Sequence, residues 1–185
     1  MIVGHGDIAS VLPDREDLLF FAAGVSNSGE TRESEYERES ELLLGQDSSN
    51  HLVYFSSLSI FYSRTRYTLH KLQMEDYVRG FFDHYTIIRV GNITWGNNPN
   101  TLINFIRNKI KDREPLEIKN VYRYVVEKEE FLHWIDLIPE FSCEMNIVGR
   151  RMLVKEIVKE YCYPWGKFNG PSERDNSKPE LQICL

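Results

Sequence analysis

The chain has 185 residues, of which 42% are hydrophobic and 12% aromatic, enough apolar material for one domain with a core. Its net charge of −6 comes from 22 Lys and Arg against 28 Asp and Glu. This balance disfavours a general nucleic-acid binder, because such a protein needs a basic face for phosphates. The excess negative charge belongs to residues 1–50, which carry 3 basic and 11 acidic side chains.

The cysteines and histidines predict neither disulfides nor a metal centre. Three cysteines are an odd number without CxxC spacing, and the five histidines are scattered without ligand spacing. No apolar run approaches about 18 residues, and the first residues lack the basic and hydrophobic regions of a secretion signal. We therefore expect a cytoplasmic protein that does not span a membrane.

The first elements are two strands and a charged helix. Residues 1–3 are a short apolar start that runs into glycines, and residues 18–23 are a continuous apolar run typical of a strand covered on both faces. Residues 31–44 are rich in Glu and Arg and predict a largely solvated helix, capped by Ser28 or Thr31.

The middle of the chain repeats this alternation. The pattern predicts a buried strand at 51–55, a long helix at 67–82 and a further strand at 85–90. A helix at 100–111 and extended structure at 116–126 follow.

The last elements predict a domain that ends near residue 162. We expect a helix at 129–138, a short strand at 144–148 and an amphipathic helix at 152–161. Pro, Gly, Ser, Asn and charged residues then dominate, so residues 163–185 are predicted to be an extended or partly disordered tail.

Apolar strands that alternate with helices indicate one fold class. We expect residues 1–162 to form one α/β domain with a reduced, Rossmann-like, doubly wound and mostly parallel sheet. Helices should cover both faces of the sheet, and a small substrate region should lie at the C-terminal end of the domain. Such sheets bind ligands at the carboxyl ends of their strands. The residues just after each strand are therefore the candidates for function.

The turn after the first strand has the form GxGxxA, from Gly4 to Ala9. Glycines in this arrangement permit a tight turn and the close approach of a pyrophosphate to a helix N-terminus. Alone the pattern is equally typical of an ordinary strand-to-helix turn. Asp7 would also repel an anion unless its carboxylate points away.

A second group of residues is more specific. Ser56 and Ser57 end a buried strand, and Tyr67 and Lys71 open the next helix at i and i+4, on one face. An ammonium near a phenol favours the phenolate, so Tyr67 could exchange a proton with a hydroxyl or carbonyl. A serine hydroxyl at the strand end could bind the same substrate oxygen, which completes an acid/base site for hydride transfer to a nicotinamide.

These residues resemble the short-chain dehydrogenase/reductase superfamily, which pairs a glycine-rich first turn with a strand-end serine and YxxxK. The extended branch, with its nucleotide-sugar epimerases and dehydratases, is the more similar one. Six segments in the expected order carry the likeness: residues 21–26 (FAAGVS), 53–61 (VYFSSLSIF), 67–71 (YTLHK), 88–96 (IRVGNITWG), 122–126 (YRYVV) and 146–149 (NIVG).

The resemblance implies a role for each matched residue. Tyr67 would be the acid/base, Lys71 its electrostatic partner and a ribose contact, and Ser57, preferred over Ser56, a ligand of the substrate oxygen. Asn92 and Arg123 would also meet the substrate. The remaining cofactor contacts implied for NAD or NADP are Gly4, Gly6, Asp7, Ile8, Ala9, Ala22, Ala23 and Gly24.

The sequence departs from the family between the glycine turn and the second strand. Only residues 10–17 stand where the family has a helix, two strands and another helix. The second strand and its acidic residue, which would bind the adenosine ribose, are missing. Cofactor binding is therefore expected to be weak or absent.

Three functional hypotheses follow. The leading one is an NAD(P)-dependent oxidoreductase, epimerase or dehydratase that acts on a sugar, with a nucleotide-linked sugar as the expected substrate. The alternative is a non-catalytic binding or assembly module that has lost the adenosine-binding half. The third is a protein that binds a mononucleotide or nucleotide sugar without redox chemistry. The resemblance also implies a homodimer through the helices at 31–44 and 67–82, with Tyr36 and Leu42–Leu44 buried between subunits.

Overall fold

The structure is a computed structural model and describes residues 1–163. The tail predicted for 163–185 lies outside the described residues, apart from Tyr163. The described strands, in chain order, are β1 (Ile2–Val3), β2 (Leu19–Phe21), β3 (His51–Ser57), β4 (His84–Val90), β5 (Asn92–Ile93), β6 (Tyr122–Val126), β7 (Cys143–Ile147) and β8 (Arg150–Leu153). The helices are α1 (Glu33–Leu44), α2 (Arg66–Phe81), α3 (Leu102–Lys111), α4 (Lys128–Asp136) and α5 (Val154–Ile157).

The main sheet has five strands in the order β1-β2-β3-β4-β7, and every neighbouring pair is parallel. The predicted α/β class with a mostly parallel sheet is therefore confirmed. Strand β1 lies at one edge of this sheet, with β2 as its partner. The resemblance implies two further strands beyond this edge, and among the described residues no strand lies there.

Both faces of the main sheet are buried, which explains the continuous apolar runs of its strands. Phe20, Val53 and Phe55 point to one face, where α4 covers them with Phe131 and Ile135. The alternate side chains point to the other face, under α1 and α2. This second set comprises Leu19, Phe21, Leu52, Tyr54 and Ile87 from the strands, with Leu43, Met74 and Val78 from the helices.

A second, three-stranded sheet has the order β5-β6-β8, with β5 parallel and β8 antiparallel to β6. The helix predicted for 152–161 is wrong at its start, because Met152 and Leu153 pair with β6. Cross-strand pairing and burial of Met152 in the second core override the helical period there. The chain turns helical at Val154 and continues as a π-helical turn, Val158–Cys162.

Helix α1 begins two residues later than predicted and has a different cap. Arg32 is its N-cap without a side-chain hydrogen bond, so the expected capping by Ser28 or Thr31 is wrong. Oε1 of Glu30 instead accepts hydrogen bonds from the backbone N–H groups of Thr31 and Arg32, both at 3.0 Å. The hydrogen bonds from the Arg32 side chain lower the pKa of Glu30 to about 2, and these backbone bonds add to that effect.

Helices α1 and α2 pack against each other within one chain. The Tyr36 and His70 rings meet edge to face at 4.7 Å, and Ser40 lies 3.3 Å from the sulfur of Met74. Tyr36 and Leu43 are consequently buried, so the expectation that they are buried between subunits is wrong. Among the described helices, none is long and apolar enough to cross a membrane.

Candidate active site

The glycine turn after β1 is held against the end of β2. Gly4 has φ +120°, and a Cβ atom there would lie 2.5 Å from the carbonyl oxygen of Ala22. Gly6 is different, because a Cβ atom at that position would meet nothing within 4 Å. The helix that follows is a three-residue 3₁₀ turn, Ala9–Val11, preceded by Ile8 as its N-cap. The turn therefore lacks the long helix whose N-terminus would face a pyrophosphate.

Asp7, one of the expected cofactor contacts, binds another loop of the protein. Its two carboxylate oxygens accept hydrogen bonds from the backbone N–H groups of Asn97 and Asn98, both at 3.0 Å. Its backbone oxygen accepts a further bond from Nε1 of Trp95. Gly96, with φ +90°, leaves room for the Asp7 side chain, so this carboxylate is directed to the loop after β5.

The two serines at the end of β3 point to different surroundings. Ser56 is buried, and its hydroxyl donates to Oε1 of Glu75 at 2.7 Å. Ser57 is half-buried, and its hydroxyl lies 2.8 Å from that of Ser59 and caps the 3₁₀ turn Leu58–Phe61. Ser57 is therefore the less buried of the two serines at this end of the sheet.

Helix α2 presents Tyr67 and Lys71 from its first two turns. Thr65 caps the helix through a reciprocal pair of hydrogen bonds with Thr68, which fixes the start of the helix. Nζ of Lys71 lies 5.8 Å from the centroid of the Tyr67 ring. Within residues 1–163 the Tyr67 hydroxyl forms no hydrogen bond.

The nearest partners of Lys71 are different from the expected one. The buried ammonium donates to Oε1 of Glu39 at 2.8 Å and to the Tyr54 hydroxyl at 3.0 Å. Glu39 also accepts from the Tyr54 hydroxyl, from Nε2 of His70 and from the backbone N–H of Val25, at 2.7, 3.1 and 2.7 Å. A buried network thus connects α1, α2, β3 and the loop after β2.

Glu39 is the residue that sequence analysis missed. It lies in the Glu-rich helix, where charged side chains are usually solvated. The available signal was its position on the stripe of Tyr36 and Leu43, at i, i+3 and i+7, all of which are buried in α1.

The charges and hydrogen bonds around Glu39 counteract the effect of burial on its pKa. Burial alone would raise its pKa, but the charge of Lys71 and the hydrogen bonds from His70, Lys71 and Val25 outweigh that effect. The pKa of Glu39 is therefore well below its ordinary value, and the side chain is a carboxylate. Burial and the neighbouring carboxylate raise the pKa of Tyr54 well above 10, so Tyr54 stays a neutral donor.

The segment from Ala22 to Gly24 lies directly over this network. A Cβ atom on Gly24 would lie 2.6 Å from Nζ of Lys71 and 2.8 Å from Oε1 of Glu39. The carbonyl oxygen of Ala23 accepts a bond from Arg38 of α1 at 3.2 Å. The structure therefore brings together Gly24, Lys71 and Tyr67, as the resemblance implies, with Glu39 added to them.

The two expected substrate contacts, Asn92 and Arg123, lie at the second sheet. The Asn92 side chain donates to the carbonyl oxygen of Tyr124 at 2.9 Å, which ties β5 to β6. The guanidinium of Arg123 lies 5.4 Å from the centroid of the Tyr62 ring. Tyr62 follows the 3₁₀ turn that Ser57 caps, so Arg123 lies near the end of β3. The Asn92 side chain, in contrast, is bonded to the backbone of β6.

Two surface cavities are not lined by Ser57, Tyr67 or Lys71. One, of about 660 Å³, is lined by Arg150, Arg151, Met152, Glu156, Lys159 and Glu160 at the second sheet. The other, of about 350 Å³, lies at the amino ends of the strands, beside His51 and His84. In the part of the chain that the structure describes, no group of three or more His, Cys, Asp or Glu side chains could hold a metal ion.

Comparison with known proteins supports the fold. No protein-family model and no curated protein matches the sequence. Three solved structures of low identity superpose on most of the chain. They are an enzyme named WbmG from Bordetella bronchiseptica with NAD and UDP (14% identity, TM-score 0.59), a UDP-glucose 4-epimerase from Thermotoga maritima with UDP-glucose (16%, 0.58), and a mutant UDP-glucuronic acid 4-epimerase from Bacillus cereus with NAD and a fluorinated UDP-glucuronic acid (12%, 0.60).

The chain shares its fold with these three structures. The three superpositions cover 80%, 77% and 77% of this chain. They cover only 57%, 59% and 57% of the three solved chains, so this chain spans less than two thirds of their length. In this chain β1 lies at the edge of the shared sheet.

Proposed function

We propose that the chain acts on a hydroxyl or carbonyl group of a nucleotide-linked sugar, as an oxidoreductase or epimerase that uses the nicotinamide of NAD or NADP. The observation that carries the proposal is the Tyr67 ring beside the buried ammonium of Lys71, with 5.8 Å between Nζ and the ring centroid and no hydrogen bond to the Tyr67 hydroxyl within residues 1–163. Helix α2 packs on the 3₁₀ turn that follows Ser57, so a serine and a phenol lie at one end of the sheet.

Each residue has a distinct task in this proposal. Tyr67 removes the proton from a sugar hydroxyl or returns it to a carbonyl, and Ser57 holds the same oxygen by a hydrogen bond. The nicotinamide, when bound, supplies the hydride acceptor or donor. Ala22, Ala23 and Gly24 would lie along the nicotinamide half, and Lys71 would bind its ribose.

The residues present fit only that half of the cofactor. Among the described residues, no strand lies beyond β1 to receive the adenosine, and Asp7 occupies its carboxylate with the loop after β5. We therefore expect weak binding of the dinucleotide. Arg123 is proposed to meet the diphosphate of the nucleotide sugar.

Turnover of UDP-sugars with added NAD or NADP tests the proposal. We expect Tyr67→Phe to abolish turnover while circular dichroism and thermal unfolding stay unchanged. The matched control is Tyr77→Phe on the same helix, whose hydroxyl contacts Gln73 and lies outside the proposed site. Full activity of Tyr67→Phe, or equal losses in both variants, would reject Tyr67 as the acid/base.

A second candidate is a non-catalytic binding or assembly module with the same fold. The ion pair between Lys71 and Glu39 favours it, because the ammonium already has a partner. Titration with NAD⁺, NADH, NADP⁺ and NADPH separates the candidates. A Kd below about 1 mM for one of them supports the enzyme, and no binding of any supports the module.

The proposal includes a homodimer through α1 and α2 and a cytoplasmic location. Although the two helices bury Tyr36 and Leu43 within the chain, they leave Leu42, Leu69 and Phe81 exposed at 38%, 53% and 41%. These side chains would form the contact between copies. Analytical ultracentrifugation that shows only monomer at micromolar concentration would reject the dimer.

A further inference from the structure

The carboxylate of Glu39 is saturated by donors from its own chain. Oε1 accepts from Nζ of Lys71 and from the Tyr54 hydroxyl, and Oε2 accepts from His70 and the backbone N–H of Val25. A carboxylate offers about four lone-pair sites, so none remains for a ligand. The side chain of Glu39 is fully buried, which places the whole arrangement inside the protein.

Lys71 is committed to the same network. Its ammonium donates to Glu39 and to the Tyr54 hydroxyl, which itself donates to Glu39. Two of its three N–H groups therefore serve internal partners. The expected partners of Lys71, a ribose and the phenol of Tyr67, would have to compete with a buried opposite charge at 2.8 Å.

We propose that Glu39 is a positioning residue that withholds Lys71 from ligands until one displaces the ion pair. The expected ligand is the ribose diol of a nicotinamide nucleotide, and in this respect the inference rests on the proposed function. The ligand oxygens would take over the hydrogen bonds of Lys71, while Glu39 keeps its bonds to Val25, His70 and Tyr54. No bond between heavy atoms forms or breaks in this exchange.

The loop after β2 covers the network directly. Gly24 has no side chain above Lys71 and Glu39, and a Cβ atom there would meet both charged groups at under 3 Å. Val25 ties the same loop to Glu39. A ligand that binds Lys71 would thus have to displace this loop as well as the ion pair, so Glu39 would lower the affinity of the site.

Lysine labelling tests the inference without any ligand. Wild type, Glu39→Gln and Glu75→Gln are treated with an amine-reactive acylating reagent, and mass spectrometry follows modification of Lys71. Glu75 is the matched control, since it is a second fully buried carboxylate that contacts Ser56, Arg79 and Arg89. We expect Lys71 to react about tenfold faster in Glu39→Gln than in the other two proteins. An unchanged rate would overturn the inference.

Alkylation of the buried Cys162 reports whether Glu39→Gln opens the whole fold. If the labelling of Cys162 and that of Lys71 both become faster in Glu39→Gln, Gly24→Ala replaces it as the test variant. The added Cβ atom would press on Lys71 and Glu39, and both charges would be kept. Faster labelling of Lys71 with Cys162 unchanged supports the inference. Unchanged labelling of Lys71 in that variant overturns it.

NADH titration of the same proteins separates this inference from the proposed function. Faster labelling with NADH binding about tenfold tighter in Glu39→Gln supports both. Faster labelling without nucleotide binding to any variant rejects the proposed function and leaves the control of Lys71 by Glu39 standing. Unchanged labelling with NADH binding to the wild type rejects only the inference.

Discussion

Nζ of Lys71 lies 2.8 Å from Oε1 of Glu39, and both side chains are buried. The lysine of a YxxxK pattern is thus paired with a carboxylate from a different helix, while the Tyr67 ring lies 5.8 Å from the same ammonium. A buried ion pair of this kind is costly to break on one side only, because the remaining charge has no partner. Loss of one partner of this pair is therefore expected to lower the stability of the fold.

The lowered pKa of Glu39 makes stability depend on pH. A carboxylate whose pKa is lower in the folded than in the unfolded chain stabilises the fold above its ordinary value, near 4.5, and this contribution is lost as the pH falls below it. Between pH 5 and 3, we expect the free energy of unfolding to fall less steeply for Glu39→Gln than for the wild type. The difference is at most about 1.4 kcal/mol per pH unit. Equal slopes of the free energy of unfolding against pH for the two proteins, measured by urea unfolding, would contradict this prediction.

Gly4 and Gly6 are expected to respond differently to the same substitution. Gly4→Ala combines a positive φ with a Cβ atom 2.5 Å from the carbonyl oxygen of Ala22, so it should lower the free energy of unfolding by about 2 kcal/mol or more. Gly6→Ala meets no neighbour within 4 Å and should change it by less than about 0.5 kcal/mol. Urea unfolding of both variants checks this, and equal effects would show that the turn does not pack as described.

Asp7 is expected to act as an anchor of the loop after β5. Asp7→Ala removes the acceptors of two backbone N–H groups and should cost about 1–2 kcal/mol. Hydrogen exchange at Asn97 and Asn98 should accelerate in this variant. Asp14→Ala, which changes an exposed aspartate later in the chain, is the control and should leave both amides protected. Unaltered exchange in Asp7→Ala would reject the anchoring role.

The buried carboxylate Glu75 is expected to matter more than its exposed counterpart Glu144. Both bind Arg89, but Glu75 is fully buried, whereas the Glu144 side chain is 36% exposed. Glu75→Ala leaves Arg89 and Ser56 without their inner partner and should cost about 3–5 kcal/mol. Glu144→Ala should cost about 1 kcal/mol or less. Similar losses in urea unfolding would contradict this difference.

The strands of the main sheet could be predicted from sequence because burial on both faces leaves an unbroken apolar run. Residues 18–23, 51–55 and 85–90 were placed to within two residues at each end. The second sheet was not predicted as a sheet, since β5 has two residues and β8 begins with two arginines. Its pairing with β6 is a tertiary effect that no local period reveals.

The candidate site was predictable where a short spacing carries it and not where distant segments meet. Tyr67 and Lys71 share a helix face by their i, i+4 spacing alone. Glu39 escaped prediction because its partners come from β3, α2 and the loop after β2, up to 32 residues away along the chain. The hydrogen bonds of Asp7 to the loop after β5 span about 90 residues, so no local sequence pattern predicts them.

Comparing NADH binding by Glu39→Gln with that by the double variant Glu39→Gln, Lys71→Met is the most direct test that Lys71 serves a nicotinamide nucleotide. The double variant removes both charges of the pair, so neither is left buried alone. Fluorescence titration should show NADH bound by Glu39→Gln and binding at least about tenfold weaker in the double variant. Equal Kd values for the two proteins, or no binding to Glu39→Gln, would contradict that assignment.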